Sequence, residues 1–583
     1  MRATLDKREI IRILEEIALL LELKGENPFK ARAYASAARS LEGATEEIPE
    51  LIASRGLETL SRIGDAIREK IETLAATGTL PYHEELRAGF APGIFEILAI
   101  PGLGPKKVRV IWEKLGVSSL GELEYACREN RLAGLPGFGR RSQEKTLRGI
   151  ELLKKHRGRF LCDVALGEAE GLLEALGGHV ASIRMSLAGS IRRRCETSKD
   201  IDLVASSDDP ASLMEAFITL PRVAEVVARG ETRSSVRLAS DMGADLRVVK
   251  DPEFPFALHH FTGSKDHNVA MRGRAVRRGM KLNEYGLFRG ARRVPCKDEE
   301  EIFSRLGLAY IPPELRENYG EIEAAEEGEV PELVKLEDLR GVLHVHTSAS
   351  DGSATLREMA EAARRLGLEY IGICDHSKSA RYAGGLNEKR VEEQHLSIEA
   401  LNRSLEGITI LKGIEVDILP DGQLDFADEV LATFDFVVAS VHSGFNLTEA
   451  AMTERIIRAV RNRNVRILGH PTGRLLLARE AYPVNLPEVI EAAAETGVCI
   501  ELNANPHRLD VDWRMIPKVK EAGLRVSINP DAHHPAGLGD MRYGVGIARK
   551  GWLTREEILN ALPLPDLLRI FRGGEKRRRT PIA

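Results

Sequence analysis

The second half of the chain repeats one pattern seven times, and this repetition limits the fold more than any other feature. The apolar runs GVLHVH (341–346), YIGICDH (370–376), ITILKGIEVD (408–417), FDFVVASVH (434–442), VRILGH (465–470), VCIELNA (498–504) and LRVSINPDAH (524–533) are each followed by a helix-like stretch. Strand alternating with helix means parallel sheet, because each return to the sheet needs a long crossover. Seven such units predict an α/β barrel, a distorted (βα)7 TIM-like form, with functional residues gathered at the C-terminal ends of its strands. Nearly every run ends in a metal-ligating residue: His344 and His346, His376, Glu415, His442, His470, then Asp531 and His533, with Asp351 in the first loop. One histidine after a strand is usually a hydrogen-bonded core or surface residue. So many at one end of successive strands are not easily explained that way. These nine nitrogen and oxygen ligands exceed one ion's shell, so two or three ions are expected. Mixed imidazole and carboxylate suits Zn²⁺ or Mn²⁺ better than Mg²⁺.

A different chemistry is written in GSIRRRCETSKDIDLV (189–204). Ile201, Leu203 and Val204 read as a strand, so alternation puts Asp200 and Asp202 on one face. Two adjacent carboxylates repel each other unless a cation lies between them, and a hard ion such as Mg²⁺ suits oxygen ligands. Upstream, the Gly189 and Ser190 amides and Arg193 can hold an anion beside that ion. Together these describe phosphoryl or nucleotidyl transfer.

The first 150 residues are helical in pattern. Residues 4–24 carry apolar residues at helical spacing, Pro28 opens a second helix, and 57–78 reads helix, glycine turn, helix. Two better copies of that turn follow: Gly102-Leu103-Gly104 before Lys106 and Lys107, and Gly137-Phe138-Gly139 before Arg140 and Arg141. This is the outline of a helix-hairpin-helix, whose turn amides and next helix N-terminus receive a DNA phosphate. A plain helical hairpin explains one copy, but three in succession make it a poor explanation. Such contacts read the DNA backbone and ignore its sequence.

At 583 residues the chain is too long for one core, so three or more domains are expected. Its formal net charge of −5 argues against uniform electrostatic wrapping of DNA, so basic patches must be segregated. Six scattered cysteines without a C-x-x-C favour reduced thiols, with neither a disulfide framework nor a zinc ribbon. No leader-like or membrane-spanning apolar stretch is seen. A cytoplasmic, nucleoid-associated chain with no membrane partner is expected.

Residues 1–316 resemble the X-family DNA polymerases, the family of DNA polymerase beta. Residues 338–550 resemble the polymerase-and-histidinol-phosphatase (PHP) family through their H-x-H, C-D-H, E-V-D, S-V-H, G-H-P and D-A-H elements. The resemblance implies a multidomain chain. It would comprise a helical 5′-phosphate-binding domain (1–85), helix-hairpin-helix fingers (86–158) and an α+β nucleotidyltransferase palm (159–255). A thumb (256–316), an acidic linker or helix (317–337) and a PHP phosphoesterase barrel with a basic tail (338–583) would follow.

It further implies roles. Asp200 and Asp202 would hold two ions, Mg²⁺ or Mn²⁺, with Asp245 of GADLRVV (243–249) activating the primer hydroxyl. Gly189, Ser190 and Arg193 would hold the triphosphate. Phe261 and Gly263 would lie against the sugar, with His260 where relatives have tyrosine. Asn268 would reach the incoming base, and Lys265, which replaces an acid, is expected to contact the nucleotide. Arg272, Asn283 and Tyr285 would face DNA, as would Gly102, Gly104, Lys106, Gly137 and Gly139. Lys30 and Tyr34 would hold the 5′-phosphate of a gap, beside Lys70 as a possible deoxyribose-phosphate lyase nucleophile. Ala66 stands where that site has a second lysine, and Arg62 where the first turn has a glycine. His507, Arg474 and Asn503 are candidate phosphate holders in the barrel. The expected partners are gapped or nicked duplex DNA and a dNTP, engaged by a monomer. The expected reactions are gap filling combined with 3′–5′ exonuclease, 3′-phosphatase or abasic-site cleavage. Three alternatives stay open: a nuclease with a passive DNA-binding front, a small-molecule phosphatase barrel, and a repair scaffold.

Overall fold

Apolar residues spaced three and four apart build the first 150 residues of the chain. In the computed structural model the described residues are 7–42, 48–54, 56–60, 63–98, 100, 102–154 and 158–572. Arg62 and the basic tail lie outside them. The chain divides into two units, Met1–Leu153 and Lys154–Ala583.

In the first unit, helix α1 (Lys7–Lys24) buries Ile10, Leu14, Ile17 and Leu21, and α2 (Pro28–Glu42) supplies Ala37, Ala38 and Leu41 to the same cluster. Helices α3 (Asp65–Thr77) and α4 (Pro81–Ala88) follow. The two later Gly-x-Gly turns lead into α5 (Pro105–Leu115) and α6 (Arg140–Lys154). Gly102 and Gly137 take φ of +88° and +82°, which a side chain would disfavour. One apolar cluster runs from Ile10 to Ile150, so the boundary expected at residue 85 passes through a shared core.

The second unit opens with a five-stranded sheet. Its strands are β1 (Arg184–Leu187), β2 (Asp200–Ser206), β3 (Val223–Arg229), β4 (Arg233–Leu238) and β5 (Gly243–Val249), in the order β1-β2-β5-β4-β3. Only β2 and β5 run parallel. Helices α7 (Phe254–Thr262) and α8 (Lys265–Arg277) come next, with a three-stranded antiparallel sheet over 281–294.

Of the linker and the helix expected for the acidic segment, the structure has a helix at its centre. The segment forms α9 (Glu321–Glu327), in which Glu321 is fully buried against His267 at 2.7 Å, and Glu317 is turned toward Arg193 and Lys550. Its acids answer partners far away in sequence, a buried histidine for Glu321 and two cations for Glu317.

The repeating half forms two parallel sheets. One holds β6 (Gly341–Val345), β7 (Tyr370–Ile373) and β8 (Thr409–Lys412). The other holds β9 (Glu415–Asp417), β10 (Val437–Ser440), β11 (Val465–Leu468), β12 (Cys499–Asn503) and β13 (Val526–Asn529). The run 408–417 is therefore two strands. It breaks at Gly413, where a Cβ would meet the Phe436 ring at 2.6 Å and Cys374 Sγ at 2.7 Å. Single parallel bridges, His376 to Glu415 and Val345 to Ala532, join the two sheets on both sides. The ring thus closes at the strand ends that carry the ligands. Helix α10 (Met541–Lys550) packs after the last strand. No helix among the described residues is long and apolar enough to cross a membrane.

Candidate active sites

Strands β2 and β5 place the palm acids. Their register sets Asp202 directly opposite Asp245 and Asp200 opposite Gly243. Ile201 and Leu203 are buried on the other face, so both aspartates of β2 look the same way. Burial, then the charges of Asp200 and Asp245, push the Asp202 carboxyl up to about 6. A group so placed favours a cation. Asp245 is engaged at both oxygens, Oδ1 by the Ser235 hydroxyl and Oδ2 by Arg233 at 3.1 Å.

The Gly189-Ser190 turn sits beside these acids because residue 189 is glycine. Gly189 has φ +58°, and a Cβ there would fall 2.1 Å from Asp202 Oδ2. Ser190 Oγ donates to Ser198 Oγ at 2.9 Å. Arg193 donates to the Thr262 carbonyl at 2.6 Å and to Glu317 at 3.1 Å.

A cleft of about 450 Å³ brings together Gly189, Ser190, Arg193, Asp200, Asp202, His260, Phe261, Gly263, Lys265, Asn268 and Arg272. The bend at Gly263-Ser264 is a cis peptide. Asn268 donates to the His260 carbonyl at 2.7 Å. Arg247 stacks 4.2 Å from the Phe261 ring centroid. Asn283 is spent on its own turn, accepting from the Tyr285 and Gly286 amides at 3.0 and 3.1 Å, and Tyr285 is exposed.

In the barrel, His344, His346, Asp351, His376, Glu415, His442, His470, Asp531 and His533 converge. Three groups have ligand atoms within 4.8 Å of one another: His346, Asp351, His376 and His533; His344, His346 and Asp531; and His376, Glu415 and His442. His470 Nε2 lies 2.9 Å from Glu415. Among the described residues, the groups this close are all in the barrel. The nitrogens of His346 and His376 face carboxylates without making hydrogen bonds, as donors sharing one centre do. This donor set fits divalent metal ions. Burial opposes charge on His376, but Asp351 and Glu415 outweigh it and raise its pKa to about 10. Burial, with His533 and His376, drives His346 down to about 3. Asp531 holds a left-handed backbone, φ +50°, a strain tolerated where function fixes a side chain.

The outer partners were not read from the sequence. Glu501, fully buried in β12, accepts from His344 Nδ1 at 2.7 Å, from the His470 amide at 2.7 Å and from Asn529 at 3.0 Å. Asp417 meets His442 Nδ1 at 2.5 Å. A glutamate inside the apolar run VCIELNA was the available signal. Arg474 pins the 508–512 loop, donating to the Arg508 carbonyl at 3.0 Å and to Asp512 at 2.9 Å, and Asn503 donates to Asp531 at 3.1 Å.

In the first unit, Lys30 and Lys70 lie 5.3 and 5.4 Å from the Tyr82 ring centroid, and the Tyr34 ring stacks on Tyr82 at 6.3 Å. Burial pushes the Tyr34 hydroxyl up to about 12. Tyr82, which the sequence did not mark, is the residue that joins the other three.

Family models match in four places. They are a helix-hairpin-helix domain at 6–80, a tandem helix-hairpin-helix at 95–145, the DNA polymerase beta thumb at 257–317 and a PHP domain at 343–505. The DNA polymerase/3′-5′ exonuclease PolX of Bacillus subtilis is 40% identical over 565 residues, 96% of this chain and 98% of that protein. Probable phosphatases of Thermoanaerobacter sp. and Caldanaerobacter subterraneus are 29% and 31% identical over 232 residues, 37% of this chain and 88% and 85% of theirs. With this likeness end to end over a helix-hairpin-helix front, an acid-bearing palm and a ligand-ringed barrel, the chain belongs to the X-family DNA polymerases that carry a C-terminal PHP domain.

Proposed function

We propose that the chain is a DNA-directed DNA polymerase filling short gaps in repair, joined to a PHP phosphoesterase that acts on DNA. The observation carrying this reading is the pairing of Asp202 with Asp245 beside the Gly189 turn, in a chain alike throughout to a polymerase with exonuclease activity. The substrates would be gapped or nicked duplex DNA and a dNTP, bound by a monomer in the cytoplasm. The Gly102–Gly104 and Gly137–Gly139 turns would hold the flanks by backbone phosphates, aided by Lys106. Lys30, Tyr34, Tyr82 and Lys70 would hold the 5′-phosphate, with Lys70 placed for lyase chemistry.

In the palm, Ser190, Arg193 and the turn amides would grip the β- and γ-phosphates. Phe261 and Gly263 would face the sugar, Lys265 the nucleotide, Asn268 the base edge, and Arg272 and Tyr285 the DNA. Asp245, released from Arg233, would take the proton of the primer 3′-hydroxyl at Oδ2. Two Mg²⁺ or Mn²⁺ ions at Asp200, Asp202 and Asp245 supply hydroxyl activation and charge neutralisation when bound. In the barrel, the nine candidate ligands would hold two or three Zn²⁺ or Mn²⁺ ions, which would supply water activation and charge neutralisation for phosphodiester cleavage. Glu501 would fix the ring of His344 and the backbone of His470 for that work.

Extension of a primer across a single-nucleotide gap tests the polymerase reading, with Asp245→Asn expected to abolish it. Failure of the wild-type chain to extend would refute it. The kinship to probable phosphatases supports a second reading of the barrel, as a small-molecule phosphatase. A 3′-phosphorylated or abasic oligonucleotide offered against histidinol phosphate, with Mn²⁺, separates the two by which is turned over.

A further inference from the structure

The phosphate-holding turn of the palm is braced by the barrel half at three points. Lys550, in the last turn of α10, donates to Glu317, the same carboxylate that Arg193 meets at 3.1 Å. Its ammonium also reaches the Arg193 carbonyl at 3.3 Å and lies 5.0 Å from the Trp513 ring centroid. Next to it, Arg194 packs on Gly546 of the same helix, where a Cβ would come within 3.2 Å of the arginine side chain. Arg474 reaches Glu196 at 3.5 Å.

Lys550 is only 2% exposed. Burying an ammonium is costly, and a methionine of similar length would pack on Trp513 without that cost. One carboxylate shared by two cations leaves one net positive charge next to the cleft. Arg193 stays oriented independently through the Thr262 carbonyl at 2.6 Å.

We infer that Lys550, carried by the PHP half, is a positioning residue for nucleotidyl transfer. It shares Glu317 with Arg193, so that Arg193 keeps donors and net charge for the triphosphate. This rests on the reading of Arg193 as a triphosphate contact. Without Lys550, the full charge of Glu317 falls on Arg193, and the pair becomes neutral.

The test is steady-state single-nucleotide gap filling by the full-length chain, with KM for dNTP and kcat read separately. Lys550→Met is expected to raise KM on the order of tenfold, with kcat held within about twofold, because a buried unit charge at this range acts over kcal/mol. Lys550→Arg should restore KM. Glu317→Gln, which removes the negative charge and leaves the Thr262 contact, should lower KM. An unchanged KM in Lys550→Met overturns the inference. So does a rise in KM in both Lys550→Met and Glu317→Gln with kcat falling alongside, since packing alone would do that. Should Lys550→Met not fold, the opposite-signed Glu317→Gln result decides alone. Arg193→Ala separates the layers. An unchanged KM there refutes the triphosphate reading itself, whereas a raised KM there with none in Lys550→Met refutes only the role of Lys550.

Discussion

Arg233 donates to Asp245 Oδ2 at 3.1 Å, so the third acid of the palm arrives with a counter-ion supplied by the neighbouring strand. Arg233 is half exposed, which makes the pair weak and easily exchanged. On the function proposed above, it must open before Asp245 can serve a metal or a primer hydroxyl. Arg233→Ala should therefore lower the Mg²⁺ concentration for half-maximal gap filling by a factor of about 2–5, the range of an exposed ion pair. A metal titration of the two proteins measures it.

Glu501 lies behind two of the barrel histidines at once, accepting from the His344 ring at Nδ1 and from the His470 backbone amide. Loss of such an outer partner typically costs about 10- to 100-fold in metal affinity. Glu501→Gln should lose that much in a calorimetric Mn²⁺ titration, with processing of DNA 3′ ends falling in parallel and gap filling retained.

His259 is fully buried with neither ring nitrogen hydrogen-bonded among the described residues, and burial, then Arg316, holds its pKa well below 6.5. The unfolded chain binds a proton at this residue below pH 6.5, while the folded chain does not. Its contribution is thus complete above that pH and is lost as pH falls, with a slope of up to about 1.4 kcal/mol per pH unit. Denaturant unfolding between pH 7.5 and 5.5 should show this loss, and His259→Phe, which can keep the edge contact with Phe303, should reduce the slope.

Tyr82 carries Lys30 and Lys70 together on its ring. Cation–aromatic pairs at such sites are worth about 0.5–1 kcal/mol each. Tyr82→Leu should weaken the preference for a 5′-phosphorylated gap about five- to thirtyfold, measured by competition between phosphorylated and unphosphorylated flanks.

The convergence of the candidate barrel ligands was legible because nearly all of them stand at the end of an apolar run, and parallel strands bring those ends together. The break at Gly413 was not, since it depends on Phe436 and Cys374 arriving from other strands. Glu317 and Glu321 read as members of an acidic linker or helix, yet their partners Lys550 and His267 lie 233 and 54 residues away. Arg233 gave no signal either, because its meaning comes only from the pairing of β4 with β5. Local pattern reports which residues can ligate. Long-range pairing decides which of them are held, shielded or shared.

Two centres acting on one DNA should be separable by single substitutions. The most direct measurement follows one gapped duplex carrying a labelled primer, with dNTP and Mn²⁺, for wild type, Asp200→Ala and His346→Ala. Asp200→Ala should stop extension and leave 3′-end removal, and His346→Ala should do the reverse. Loss of both reactions from either substitution, or extension surviving Asp200→Ala, would contradict the assignment of polymerisation to the palm and phosphodiester cleavage to the barrel.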